Sequence, residues 1–335
     1  MTPMSIQRAS LPVRISFGIM LALLLLIGGL HLATLVLTAL FGYLSIRGLG
    51  RLTGGRKWMA VTLYIVLISL VFLALVFFSK QAYVTLPKLA DTTIPAVVNF
   101  AEGKGIDLPF TDYPSLKRLA LDAVREKFSN IGFYVRGAVV EIAYFVIGLV
   151  LPISLYLNSR FQMAGDPHEV QGSLYSLVSH ELSSRFRTFY GSFATVIGAQ
   201  IAISAINTIV TSVFLIWNDY PYATVIIFLT FLCGLLPIVG NLMSNTLIIG
   251  VGFTLSPQVA LWALVFLVVI HKLEYFLNSK IIGDRIKNPM WLTLIGLILG
   301  ERLMGIPGMI FAPVVLHYLK VESSRALVTP ETKAT

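Results

Sequence analysis

The chain has 335 residues, 56% of them hydrophobic and only 12% charged, with a net charge of +9. That charged share is about half of what a soluble domain carries, so a water-soluble globular enzyme is excluded for want of a polar surface. Lys and Arg fall between apolar runs rather than in a basic stripe interleaved with aromatics, which argues against nucleic-acid binding.

Several apolar runs reach about 20 residues, the length of a membrane-crossing helix. Helices satisfy their own backbone groups in lipid. The expected fold class is therefore an all-α polytopic membrane protein with about eight membrane segments. The first run, from Ile15 to Ile46, has Arg8 and Arg14 before it and Arg47, Arg51, Arg56 and Lys57 after it. Positive flanks at both ends favour two short linked helices that leave both ends in the cytoplasm, turning near Gly28, Gly29 and His31. No small-residue cleavage site follows, so the first helix is expected to be retained. Trp58 to Phe78 reads as the third span, completing an N-terminal group over 1–79.

Residues 80–132 are more polar and hold Pro87, Pro95, Pro109 and Pro114. They are expected to form an extracytoplasmic helical segment, with Leu116 to Phe128 amphipathic. Residues 133–187 are expected to combine a returning membrane helix with a cytoplasmic amphipathic helix that begins at Asp166-Pro167. Arg136 and Glu141 lie in that returning span, where an ionisable residue is costly and therefore a functional candidate; a simple interfacial pair is the alternative. The long helix 188–217 carries small residues at Gly191, Thr195, Gly198, Ala199, Ala202 and Ala205, suited to close packing or to a solute path, and Asn207, which could hydrogen-bond across it. Cys233 is the single cysteine, so an intrachain disulfide and a Cys-based metal site are excluded.

Two segments within 188–320 are apolar but interrupted. The first breaks at Gly234 to Asn241 and includes Pro237 and Gly240; the second breaks at Gly300 to Gly308 and includes Glu301, Arg302, Gly305 and Pro307. Pro removes a backbone donor and Gly accepts left-handed geometry. Each half of the second segment is only about 10 to 12 residues, too short to span at 1.5 Å per residue. If both segments are re-entrant hairpins, Lys272, Lys280, Arg285, Lys287, Lys320 and Arg325 all fall on the cytoplasmic side. Full crossing would put 278–289 outside, against that bias. The expectation is a helix-plus-hairpin unit used twice in inverted orientation, a transport core over 188–320, and a cytoplasmic tail over 321–335. Paired interrupted segments of this kind point to a transport site near the midplane.

The candidate site residues follow from the breaks. Pro237, Gly240 and Asn241 shape the first; Glu301, Arg302, Gly305 and Gly308 shape the second. Glu274 and Asn278 share a helix with His271, and His271 and Glu274, three apart, lie on one face and could relay a proton. No His-Glu-x-x-His motif, Gly-x-Ser-x-Gly elbow or phosphate-binding loop occurs, so no catalytic residue, metal or cofactor is expected.

These residues resemble the AI-2E family of bacterial transporters, the autoinducer-2 exporter superfamily. The matches are Pro237-Ile238-Val239-Gly240, Glu274 with Asn278 before Ile281-Ile282-Gly283, Pro289, and Gly305-Ile306-Pro307-Gly308 running to Ala312-Pro313. The chain departs from the common pattern at Asn241, often Pro in the family, and at Ser279 and Lys280, near where many members have Pro. The resemblance implies a multi-pass protein of the bacterial inner membrane that acts on a small solute or ion and works as a homo-oligomer. Some members are linked to export of the quorum-sensing signal autoinducer-2 and others to sodium/proton antiport. The reading is a secondary-active exporter of a small polar solute. A monovalent cation/proton antiporter and a non-transport membrane scaffold remain as alternatives. For the antiporter, Glu301 and Glu141 are the discriminating carboxylates.

Overall fold

The computed structural model describes residues 4–6, 10–106, 112, 114–118, 131–158, 173–236, 239–282, 289–324 and 328–330; of 4–6, 131–136, 275–282, 290 and 328–330 only the backbone is described. Among these residues the chain is helical apart from one three-residue antiparallel pair, β1 (Met4–Ile6) with β2 (Val328–Pro330). The helices are α1 (Leu11–Gly29), α2 (Ala33–Leu52), α3 (Lys57–Glu102), α4 (Ile131–Leu157), α5 (Leu174–Trp217), α6 (Ala223–Gly234), α7 (Val239–Leu255), α8 (Pro257–Ile282) and α9 (Met290–Ser324). Seven helices are long and apolar enough to cross a membrane, α6 and α7 being the shorter apolar ones. Taken as one hairpin, α6 and α7 bring the membrane segments to the expected number. The protein is a multi-pass membrane protein.

Two compact units are interleaved along the chain. One holds Met1–Tyr64, Glu141–Gly198 and Asp284–Thr335; the other holds Ile65–Val140 and Ala199–Gly283. The first has its core in Met20 of α1, Leu37 of α2, Phe189, Phe193 and Ile197 of α5, and Phe311, Val314 and Tyr318 of α9. Phe41 meets Phe193 edge-on at 5.2 Å, a geometry aromatic rings prefer to face-to-face stacking. The second unit is built around Leu89, Leu215, Tyr220, Ile226, Ile248, Val251, Ala263 and Leu267.

The first unit also buries a charge. Arg185 of α5 is 6% exposed. Its Nε donates to Ser16 Oγ at 3.0 Å, and its guanidinium pairs with Glu322, lies 4.0 Å from Glu181 and sits over the Phe17 ring. A buried charge is tolerated only when matched in this way.

Two helix boundaries differ from the sequence reading. The helix that carries the third span does not stop with it at Phe78: α3 continues to Glu102 through Pro87 and Pro95, into the segment expected outside the membrane. The extension has a buried face at Thr85, Leu89, Ile94, Val98 and Ala101, at near-helical spacing. Packing along that face outweighs the cost of two prolines, which membrane helices tolerate when neighbours re-satisfy the backbone. Nor does a separate amphipathic helix end at residue 187, because α5 runs unbroken from Leu174 to Trp217. Leu182, Phe189, Phe193 and Ile197 keep one buried stripe across the expected junction. Its expected start at Asp166 and most of the amphipathic stretch Leu116 to Phe128 lie outside the described residues.

Candidate functional site

Both interrupted segments fold into helical hairpins. In α9 the reversal is at Gly305, where φ is +63° and ψ −148°, a conformation that favours glycine. Across the arms, a Cβ on Gly300 would collide with the Gly308 carbonyl, one on Gly308 would collide with the Gly300 carbonyl, and Gly296 faces Leu316 and Ala312. The arms therefore touch backbone to backbone near the tip. Glu301 and Arg302 stand exposed there, 3.9 Å apart, with side chains 55% and 83% accessible. A pair so open to its surroundings contributes little.

The α6–α7 hairpin is tied into its unit by polar side chains. Its twelve-residue first arm rises about 18 Å, less than the ~30 Å apolar thickness of a bilayer. A Cβ on Gly240 would fall on the Cys233 carbonyl, so only glycine allows this closure. The last carbonyls of α6 lack intrahelical donors. The Leu235 and Leu236 N–H groups donate to the Leu232 and Cys233 carbonyls, and two side chains of α5 serve the others: Gln200 Nε2 donates to the Gly234 carbonyl at 2.6 Å, and Ser204 Oγ donates to the Phe231 carbonyl at 2.8 Å.

One turn further along α5, Asn207 is 8% exposed. Its amide lies beside the carboxyl of Glu274 on α8, and its own Oδ1 has no partner among the described residues. Asn241, in the first turn of α7, donates from Nδ2 to Glu274 Oε2 at 2.6 Å. The carboxyl thus lies between two amides and near the N-terminus of α7, the positive end of that helix dipole. Among the described residues no Lys or Arg forms an ion pair with it. His271, one turn earlier on α8, is exposed.

The structure therefore joins Asn241 and Glu274 of the expected site residues, sets Asn207, the residue expected to bond across its helix, beside them, and adds Gln200 and Ser204, which the sequence reading missed. Gln200, Ser204 and Asn207 are spaced i, i+4, i+7 on α5, a polar stripe visible in the sequence. Gly305 and Gly308 make the second hairpin rather than a polar cluster. Pro237 lies outside the described residues, as do the side chains of Arg136 and Asn278. Glu141 is exposed and accepts a hydrogen bond from Thr34 Oγ1 of α2.

Long apolar helices, two tight helical hairpins and a carboxylate that accepts from an amide on a neighbouring helix define the class: a polytopic membrane protein. The model for the AI-2E family of transporters matches residues 14–325, and the chain belongs to that family. The family is one of transporters, not of enzymes. A curated relative is "Putative transport protein YdbI" of Bacillus subtilis (strain 168), 24% identical over 201 residues. That match covers 58% of this chain and 56% of the relative, so the chain spans little more than half the length of the protein it matches. No solved structure matches the chain.

Proposed function

We propose that the protein is a secondary-active transporter that moves a small polar solute, such as autoinducer-2 or a related metabolite, out of the cell on an ion gradient. Glu274 is the residue that carries the coupling ion. The observation behind this is the 2.6 Å hydrogen bond from Asn241 to a half-buried Glu274 at the α6–α7 reversal. A carboxylate in a membrane segment with an amide partner and no Lys or Arg ion pair among the described residues can take up a proton or a sodium ion without breaking such a pair. Unwound backbone beside it adds carbonyls and a helix N-terminus, the groups broken-helix transporters use on their cargo.

The same carboxylate favours a second reading, a monovalent cation/proton antiporter. The Lys and Arg distribution supports the bacterial inner membrane, with both termini and Arg285 on the cytoplasmic side. The test is purified protein in liposomes with a trapped pH dye. Solute-dependent proton or sodium movement on adding autoinducer-2 supports the exporter. A dye response to sodium or potassium alone supports the antiporter. No ion movement under either condition contradicts both.

A further inference from the structure

In the first unit, α5 and α9 line an open polar cavity of about 400 Å³ that the Glu274 cluster does not use. His317 of α9 lines it, is 5% exposed, and has no hydrogen-bond partner on Nδ1 or Nε2 among the described residues. Ser192 of α5 lines it too, is 2% exposed, and has an unpartnered Oγ. Buried polar atoms are expensive when unpaired, and here three of them border one space. Arg187 stands at its exposed edge and Thr195 adds a hydroxyl; among the described residues no Asp or Glu lines it. Gly191 also borders the cavity, and a Cβ there would meet nothing within 4 Å. At Gly191, then, the small-residue stripe of α5 keeps room open instead of seating another helix.

We propose that this cavity binds the oxyanion of a small polar solute, a phosphate or a carboxylate, with Arg187 taking the charge and His317, Ser192 and Thr195 the remaining oxygens. Guanidinium and hydroxyl donors suit such a group, and an imidazole offers either a donor or an acceptor. The proposal deepens the transporter reading by naming a cargo class. It rests on that reading for the ligand's being cargo, whereas binding itself does not.

The test uses the full chain in nanodiscs of phosphatidylcholine alone, titrated with inorganic phosphate or acetate at constant ionic strength and compared with chloride. The readout is the melting temperature. A saturable rise with phosphate or acetate is expected, weakened at least tenfold in apparent affinity by Arg187→Gln and by His317→Gln. Ser192→Ala, the mildest change, is expected to weaken it severalfold, so a folding failure of the histidine variant leaves two readouts. No rise beyond chloride overturns the proposal, as does a rise undiminished in Arg187→Gln and Ser192→Ala. A rise produced only by phosphatidylglycerol in the nanodisc overturns it in favour of a lipid headgroup. Binding without transport in liposomes contradicts the function proposed above and leaves this site standing; transport without binding does the reverse.

Discussion

The two units treat their buried charges in opposite ways. In the first, Arg185 is matched by Glu322, Glu181 and Ser16, and its ring contact with Phe17 closes the arrangement. In the second, Glu274 accepts a hydrogen bond from the Asn241 amide and forms no ion pair with a Lys or Arg among the described residues, its charged neighbour being the exposed His271 one turn away. A charge matched on all sides is structural, since removing either member leaves the other stranded. A carboxylate without a Lys or Arg ion pair can change its protonation or its bound ion without stranding such a partner. The contrast separates a residue that holds helices together from one able to do work.

The hairpins differ in the same sense. The α9 reversal shows its two charges at an exposed tip, while the α6–α7 reversal has none of its own and recruits polar groups from α5 and α8. Charge at a break is thus a weaker guide to engagement than the polar residues of the flanking helices.

Substitutions sharpen or break this comparison. Arg185→Ala, which leaves Glu322 unpaired, is expected to cost about 3–5 kcal/mol in the unfolding of detergent-solubilised protein. A tolerated substitution would remove the distinction between the units. Gly240→Val forces a side chain onto the Cys233 carbonyl and is expected to cost about 3 kcal/mol by the same measurement. Gln200→Ala strands the Gly234 carbonyl at the end of α6, an expected loss of about 1–2 kcal/mol. Glu301→Gln together with Arg302→Gln should shift stability by less than about 0.5 kcal/mol, because the pair is exposed.

Much of the architecture was legible in the sequence because its signals are local. Gly305-Ile306-Pro307-Gly308 and Gly240 encode reversals through their own backbone requirements, and the structure uses Gly305 for its positive φ and Gly240 for a contact no Cβ allows. Pro87 and Pro95 misled for the same reason. They are local helix-breaking signals, overruled in α3 by a buried face that depends on residues far along the chain, such as Leu215 and Ile248. The site was half legible. Asn241 and Glu274 each stood out, but their hydrogen bond joins positions 33 apart through a fold no spacing rule encodes. Asn207 also stood out as a polar residue on an apolar helix, whereas Gln200 and Ser204, at helical spacing from it, were masked by the small residues of the same helix. Arg185 and Glu322 lie 137 residues apart, and nothing local announces that pair.

The central claim is that Glu274, and not the exposed Glu301, carries the coupling ion. It is tested most directly by reconstituting Glu274→Gln and Glu301→Gln side by side in liposomes with a trapped pH dye, each checked for an unchanged melting temperature. The account predicts that ion-coupled movement falls at least a hundredfold in Glu274→Gln and stays within about twofold of wild type in Glu301→Gln, the latter as befits an exposed charge. Full movement in Glu274→Gln, or its loss in Glu301→Gln alone, would contradict it.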